Sequence, residues 1–332
     1  MKVNVLSESA FTVGGHGVHS AYIEDVAMLR HTPGLEVLTN SLRRADIQHA
    51  HTVGPYAMSL LRSGRVRVVT AHLTAGSLRG SLRGDRYWHS SFMRHLRASY
   101  NSADVVVAVS RSVKTELKNM GVVKPVHIVP NSVDVAAVRN LSGLRTESRE
   151  RLGIRPDEFL VMGVGQVQPR KGIATFIECA RALPQARFHW VGGTIFGPLA
   201  DRRTEMRSLV ARAPVNVEFV GQVDRLAVLR RLAAADLFFL PSTQENCPMA
   251  VLEAAAVELP ILLRDVSSYG DLFGSDCRYG TENTFVQQIE ELINDRDQLP
   301  ELSRKAGRMA GRFDSSMKSS RMLEVYRAAA SV

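Results

Sequence analysis

The sequence predicts an α/β protein of two doubly wound domains, each a parallel sheet with helices on both faces. Three observations predict it. Short β-branched runs alternate with helical stretches along the chain, the pattern of parallel sheets rather than of hairpins. The series restarts near residue 159 after a polar stretch. The length, 332 residues, accommodates two domains at roughly 150 residues each.

Taken in order, residues 3–6, 46–49, 66–70, 105–109 and 126–129 read as buried strands of a first sheet. A glycine loop and a helical stretch over 19–30 follow the first strand. Residues 159–163, 186–191, 217–220, 237–240 and 260–263 read as the second sheet. The polar segment 140–150, with Gly143 inside it, is the linker candidate. The expected organisation is a first Rossmann-like domain over 1–145 and a second over 146–315. A last helix, about 316–332, returns to the first domain. Ligands of such sheets bind at the carboxyl ends of the strands, so the cleft between the two domains is the expected site.

Composition excludes several classes. A hydrophobic share of 45% provides an ordinary globular core. Cys179, Cys247 and Cys277 stand alone, which argues against a disulfide framework and against structural zinc and suits a reducing cytoplasm. The first residues form too short an apolar run for a signal peptide, and no run approaches the 18 or so residues of a membrane span. A soluble or peripheral protein is expected. The only acidic DxD-like triplet, Asp295-Arg296-Asp297, lies far downstream of the candidate loops, and no His, Cys and carboxylate set has metal-ligand spacing.

Charge is uneven. Residues 1–150 hold 19 basic against 11 acidic side chains, and the remainder holds 23 against 22. The excess concentrates at Arg62, Arg65, Arg67, Arg79, Arg83, Arg86, Arg94 and Arg97, with Asp85 alone among them. Trp88, Tyr87 and Phe92 are interleaved. Basic residues among aromatics suit an anionic membrane surface; a solvated basic loop is the plain alternative. Nucleic acid would also attract this charge, but no recognition module is present.

Four motifs carry chemistry. Gly14-Gly15-His16-Gly17-Val18-His19 follows the first strand, where glycines let backbone N–H groups and a helix N-terminus approach an anion. A tight strand-to-helix turn is its plain reading. Gly163-Val164-Gly165-Gln166-Val167-Gln168-Pro169-Arg170-Lys171-Gly172 lacks the third glycine of a dinucleotide fingerprint. It sets two cations before a helix, which suits a pyrophosphate; a solvated basic turn would look the same. Pro241 through Glu253 follows an apolar strand, and Pro248 fits the first position of a helix. Glu245 then precedes that helix and Glu253 lies about 7.5 Å along it, at 1.5 Å per residue. A donor lying across the helix start would offer hydroxyls to both carboxylates and phosphates to the amides between them. Two acidic residues eight apart are common, so the pair weighs little alone. Thr70-Ala71-His72 ends a strand, where His72 can meet a sugar hydroxyl or carry a proton. His49 and His51 read as packing residues.

In this order the motifs resemble retaining glycosyltransferases of family 4 with the GT-B fold. The resemblance spans most of the chain and takes in Asp46 through His51, Asp104 through Ser110, Pro130-Asn131-Ser132-Val133-Asp134, Trp190-Val191-Gly192-Gly193 and Phe219-Val220-Gly221. It implies that Lys171 and Arg170 contact the donor diphosphate and that Glu245 contacts the donor sugar. Glu253 would take the ribose. Gly14 and Gly15 would back the phosphates from the opposite domain, with His19 and His72 near the sugar or acceptor. Gly165, Asn246, Cys247 and Pro248 would line the donor pocket. Gln166 departs from the arginine common in relatives, and Arg170 stands in for that charge. Cys247 departs from the usual Phe. The wording around Gln166–Gly172 and Gln244–Asn246 resembles bacterial diacylglycerol glucosyltransferases. That implies UDP-glucose as donor, no cofactor or metal, a lipid acceptor, and peripheral placement at the inner face of the cell membrane. Arg79, Arg83, Arg86, Trp88, Arg94 and Arg97 would meet that surface. A glycan acceptor and a non-catalytic GT-B partner subunit are the alternatives.

Overall fold

The computed structural model describes residues 1–11, 17–74, 76, 85–143, 145–193 and 203–331, and at 85–89 and 203 the backbone course alone. Twelve strands among them form two parallel sheets. The first contains β1 (Lys2–Leu6), β2 (Glu36–Thr39), β3 (Ile47–Ala50), β4 (Val66–Ala71), β5 (Val105–Ala108) and β6 (Val126–Ile128). Their order is β2-β1-β3-β4-β5-β6. The second contains β7 (Phe159–Val164), β8 (Ala186–Val191), β9 (Val217–Gly221), β10 (Leu237–Leu240), β11 (Ile261–Arg264) and β12 (Arg278–Gly280). Their order is β12-β11-β10-β7-β8-β9. This is the GT-B arrangement. The central strands are near-continuous apolar runs buried on both faces: every residue of β5 and of β10 is inaccessible.

The order of each sheet fixes where a ligand can sit. Strand order reverses between β1 and β3 and again between β7 and β10. Loops leaving such neighbours diverge, so crevices open at the carboxyl ends of these strands. The glycine loop after β1 and the loops after β7 and β10 leave from those points.

The chain crosses between the layers twice, and the two crossings pair. The Val133 N–H donates to Phe313 O at 3.1 Å, and Ser315 N–H donates to Val133 O at 3.0 Å. After the return, helix Ser315–Ala330 packs on helix Gly17–Arg30 beside the first sheet. Its Met322, Val325, Tyr326 and Ala329 share a core with Val3, Val5, Val68 and Val107. A buried ion pair fixes the docking, with Lys318 Nζ at 2.5 and 2.7 Å from the two oxygens of Asp25.

Three features differ from the sequence expectation. β2 and β12 are additional edge strands, short and only partly buried, without the apolar run that marks the others. The segment 140–150 is largely helical, within helices Val135–Ser142 and Arg145–Arg151. Its polarity hides a burial: Arg149 is 6% exposed and donates to Asp236 Oδ2 at 3.1 Å and Ala234 O at 2.9 Å. Helix Val135–Ser142 packs on helices Arg225–Ala234 and Met249–Ala256 of the second layer. Among the described residues no helix is long and apolar enough to cross a membrane.

Candidate active site

The loop after β7 is held against the loop after β10 by backbone geometry that glycine permits. Gly172, at φ +74°, links the turn Pro169–Lys171 to helix Ile173–Ala182. A Cβ there would stand 2.3 Å from Pro241 O, so no side chain fits. Thr243 N–H donates to Arg170 O at 2.8 Å, and Trp190 Nε1 donates to Gly165 O at 2.9 Å. The stem of Lys171 lies over Gly165, where an added Cβ would meet Lys171 Cε at 3.3 Å.

This seam brings Lys171, Arg170 and Glu245 together. Lys171 Nζ donates directly to Glu245 Oε1. Ser242 Oγ donates to the same oxygen at 2.9 Å, and Arg170 Nη1 lies 3.8 Å from it. Arg170 also reaches Gln168 Oε1 at 3.2 Å and Gln244 O at 3.4 Å. Burial works to raise the Glu245 carboxyl, but the charges of Lys171 and Arg170 and two hydrogen bonds outweigh it and hold it below the usual carboxylate range. Burial, helped by Arg170, lowers Lys171 despite Glu245. The sequence reading gave Lys171 and Glu245 different parts of a ligand; the fold places them in contact, a charge pair that an incoming anion would redistribute.

Glu253 lies on helix Met249–Ala256, with Pro248 at the N-cap, one residue ahead of the expected position. The Glu253 carboxylate accepts from Arg225 Nε at 3.2 Å, and Arg225 Nη1 lies 2.5 Å from Glu24 Oε1 of the first layer. Burial raises both carboxyls and Arg225 opposes the rise. Neither Arg225 nor Glu24 was singled out by the sequence. The available signal was Asp224, an N-cap residue just past β9 that accepts from Ala227 N–H at 2.8 Å.

From the first layer, His72 follows β4 and is buried. Asn246 Nδ2 donates to His72 O at 2.9 Å, and Asn131 Nδ2 donates to Cys247 O at 2.8 Å. Two asparagines thus pin the 245–248 loop across the cleft. Burial pushes the Cys247 thiol up to about 12, so it stays protonated. Behind His72, His51 Nδ1 lies 3.2 Å from His72 Nε2. His51 Nε2 is 3.6 Å from Asp25, the partner of Lys318. His49 bridges Tyr326 OH and Thr70 Oγ1 at 2.7 Å each. Burial first, and neighbouring cationic groups second, push His49 and His51 well below the usual imidazole range. His19 Nδ1 lies 3.3 Å from Ser9 Oγ. Gly14 and Gly15 fall outside the described residues.

Of the basic segment, Arg79 and Arg83 fall outside the described residues, as do the side chains of Arg86 and Trp88 within helix Asp85–Asn101. Arg94 and Arg97 lie on that helix. Its end is joined to the turn before β6: Asn101 Nδ2 donates to Gly121 O at 3.1 Å, and Val123 N–H donates to Asn101 Oδ1 at 2.9 Å. Beside it runs a groove of about 460 Å³ lined by Arg111, Lys114, Lys118 and Lys124 over Val126 and Ile128. A hollow of about 690 Å³ opens at the other end of the second sheet, beside Asp236 and Pro260, away from the motif loops.

Comparison with known proteins bears on the family and the fold. The model of glycosyl transferases group 1 matches residues 145–310, and that of glycosyltransferase family 4 matches residues 7–137. The chain is 36% identical over 281 residues to alpha-galactosylglucosyldiacylglycerol synthase of Streptococcus pneumoniae, covering 81% of this chain and 74% of that protein. It is 29% identical over 301 residues to processive diacylglycerol alpha-glucosyltransferase of Acholeplasma laidlawii, covering 89% of each. Among solved structures, Anabaena Alr3699/HepE in complex with UDP-glucose superimposes with a TM-score of 0.78 at 20% identity, over 99% of this chain and 100% of that one.

Proposed function

Because the chain belongs to the glycosyltransferases of group 1 and family 4, we propose that it transfers glucose from UDP-glucose to diacylglycerol at a membrane surface, with retention at the anomeric carbon. The observation that carries this reading is the cluster of partly buried Lys171 and Arg170 on buried Glu245 at the carboxyl ends of β7 and β10, facing His72 across the cleft. The donor lies across the start of helix Met249–Ala256. Glu253 accepts from the ribose hydroxyls and Glu245 from a hexose hydroxyl. The diphosphate meets Lys171, Arg170 and the helix amides.

The bond from C1 to the diphosphate oxygen breaks as the bond from C1 to the acceptor oxygen forms on the same face. The acceptor proton passes to the departing phosphate, and the products are the glycoside and UDP. Negative charge grows on the leaving group, and Lys171 and Arg170 stabilise it once the donor has drawn Lys171 from its pairing with Glu245. This asks for no metal and no cofactor. His72 lies beside the sugar, its backbone carbonyl fixed by Asn246.

Both relatives quoted are named for diacylglycerol glycolipids, which supports a lipid acceptor. So does the basic face formed by Arg111, Lys114, Lys118 and Lys124 on the first layer, since cations near an anionic leaflet contribute about 1 kcal/mol each. The face also fits peripheral placement at the cytoplasmic leaflet. The test is mass spectrometry of products after incubation with mixed nucleotide sugars and diacylglycerol vesicles. A hexosyl-diacylglycerol from the UDP-glucose arm is the expected product. Transfer to a soluble glycan alone would overturn the acceptor assignment, and no transfer from any donor would overturn the catalytic one.

A further inference from the structure

Two buried carboxylates from opposite sides of the cleft converge on one guanidinium. Glu253 belongs to the second layer and Glu24 to helix Gly17–Arg30 of the first. Their side chains are 9% and 8% exposed. Arg225, the first residue of helix Arg225–Ala234, spans them, with Nε 3.2 Å from Glu253 Oε1 and Nη1 2.5 Å from Glu24 Oε1. The second oxygen of Glu24 accepts from Asp134 N–H at 3.3 Å, in the segment where the chain crosses between layers.

The charges on the other elements packed here are committed elsewhere. Arg139, on helix Val135–Ser142, donates to Ala256 O at 2.9 Å and pairs with Glu258. Asp25, next to Glu24, is neutralised by Lys318. Among the described residues, two buried carboxylates therefore depend on one cation, and a buried charge that loses its partner takes up a proton rather than remain ionised.

We propose that Arg225 is a positioning residue for the donor: it keeps Glu253 ionised and oriented toward the nucleotide, and Glu24 anchors it from the opposite layer. This rests on the reading of Glu253 as the carboxylate that receives the ribose. An ionised carboxylate is acceptor-only and takes hydrogen bonds from both hydroxyls of a vicinal diol, whereas its protonated form gives up part of that capacity. Burial pushes Glu253 upward and Arg225 is the main opposing influence, so its removal lets Glu253 protonate nearer neutrality. Glu24 limits how far the Arg225 side chain can swing. The donor carboxylate is thereby tied to the first layer, and donor affinity is coupled to the approach of the two layers.

The experiment is calorimetric titration of the full chain with UDP between about pH 6 and pH 9, a range above the ordinary carboxylate value and below that of arginine. Wild-type affinity is the reference at each pH, because the terminal phosphate of UDP itself titrates near the acid end of this range, and the variants are read as ratios to it. Arg225→Gln is expected to bind about tenfold more weakly at the acid end and to regain affinity as pH rises and Glu253 ionises. Arg225→Lys keeps a cation, and its ratio to wild type should stay constant with pH, which separates charge from folding. Glu24→Gln should weaken binding severalfold with little pH dependence, because the cation stays but loses its anchor. In a Glu253→Gln background, Arg225→Gln should cost nothing further. The proposal is overturned if Arg225→Gln binds UDP like wild type at every pH, or if its cost persists undiminished in the Glu253→Gln background. Absence of UDP binding by the wild-type chain would instead overturn the nucleotide reading itself.

Discussion

Lys171→Met isolates the charge on which the proposed chemistry depends. Met follows the path of the lysine stem over Gly165, so the packing cost stays below about 1.5 kcal/mol. What is lost is the cation hydrogen-bonded to Glu245, leaving Arg170 Nη1 at 3.8 Å as the nearest remaining charge. At an effective dielectric near 20, a unit charge about 4 Å from a developing anion contributes about 4 kcal/mol. Removal of one preorganised donor in other enzymes costs about 2.7–4 kcal/mol, a factor of roughly 10² to 10³ in kcat. The two routes agree, so a fall in kcat of about 10² to 10³ is expected, with a smaller change in KM. The assay is the initial rate of UDP release at saturating donor and acceptor vesicles.

The pH profile gives a second readout. In the wild type the charges of Lys171 and Arg170 overcome burial, so Glu245 is held below the usual carboxylate range and its folding contribution is lost only as pH falls through that depressed value. In Lys171→Met burial gains the upper hand and the carboxyl rises, so the rate should fall off at a higher pH than in the wild type, whereas stability, with the folded state now holding the proton more tightly than the unfolded chain, should be lowest at high pH and recover as pH falls through the raised value. A variant within about threefold of wild-type kcat, against the loss expected from an oxyanion-type stabiliser, refutes the assignment.

Lys318→Met leaves the carboxylate of Asp25 buried without its cation, and breaking such a pair costs about 3–5 kcal/mol. Urea unfolding should show that loss, and pairing the change with Asp25→Asn should recover more than half of it. Gly172→Ala forces a side chain into a left-handed backbone 2.3 Å from Pro241 O. It should cost at least about 1–3 kcal/mol in stability and weaken UDP binding, read by thermal melts with and without UDP. Replacing Arg97, Lys114, Lys118 and Lys124 together by Gln should reduce flotation with anionic vesicles by at least about 10²-fold at about 1 kcal/mol per charge. Transfer rates to acceptor in neutral detergent should hold.

The parts legible in the sequence are those that local pattern encodes. Val105 through Ala108 and Leu237 through Leu240 announce central strands because burial on both faces leaves no room for polar residues. Gly172 announces a tight loop because no other residue tolerates that approach. Glu36–Thr39 and Arg278–Gly280 announce nothing, since an edge strand half in solvent needs no apolar run. Residues 145–151 look like linker because five of them are charged, yet Arg149 is buried on Asp236 from far along the chain. The same holds at the candidate site. Lys171 and Glu245 were visible through their loops, but their contact was not, and Arg225, Glu24 and Asn131 act only through partners that the fold supplies.

Those partners share a property that bears on function. The layers are joined by paired crossings at Val133 and Phe313–Ser315, and the docked C-terminal helix secures the far side of the return through Lys318 and Tyr326. Across the cleft, the polar contacts at Asn131–Cys247, Asn246–His72 and Arg225–Glu24 each involve the loop after β10 or the partner of Glu253. None is an apolar seam, and each trades hydrogen bonds that water can replace on opening. Opening would therefore disassemble the surroundings of Glu245 and Glu253 together. On the proposed reading, a donor that bonds both carboxylates would stabilise the closed state by its differential affinity for it, and the cations of the 165–172 loop would meet the departing charge there.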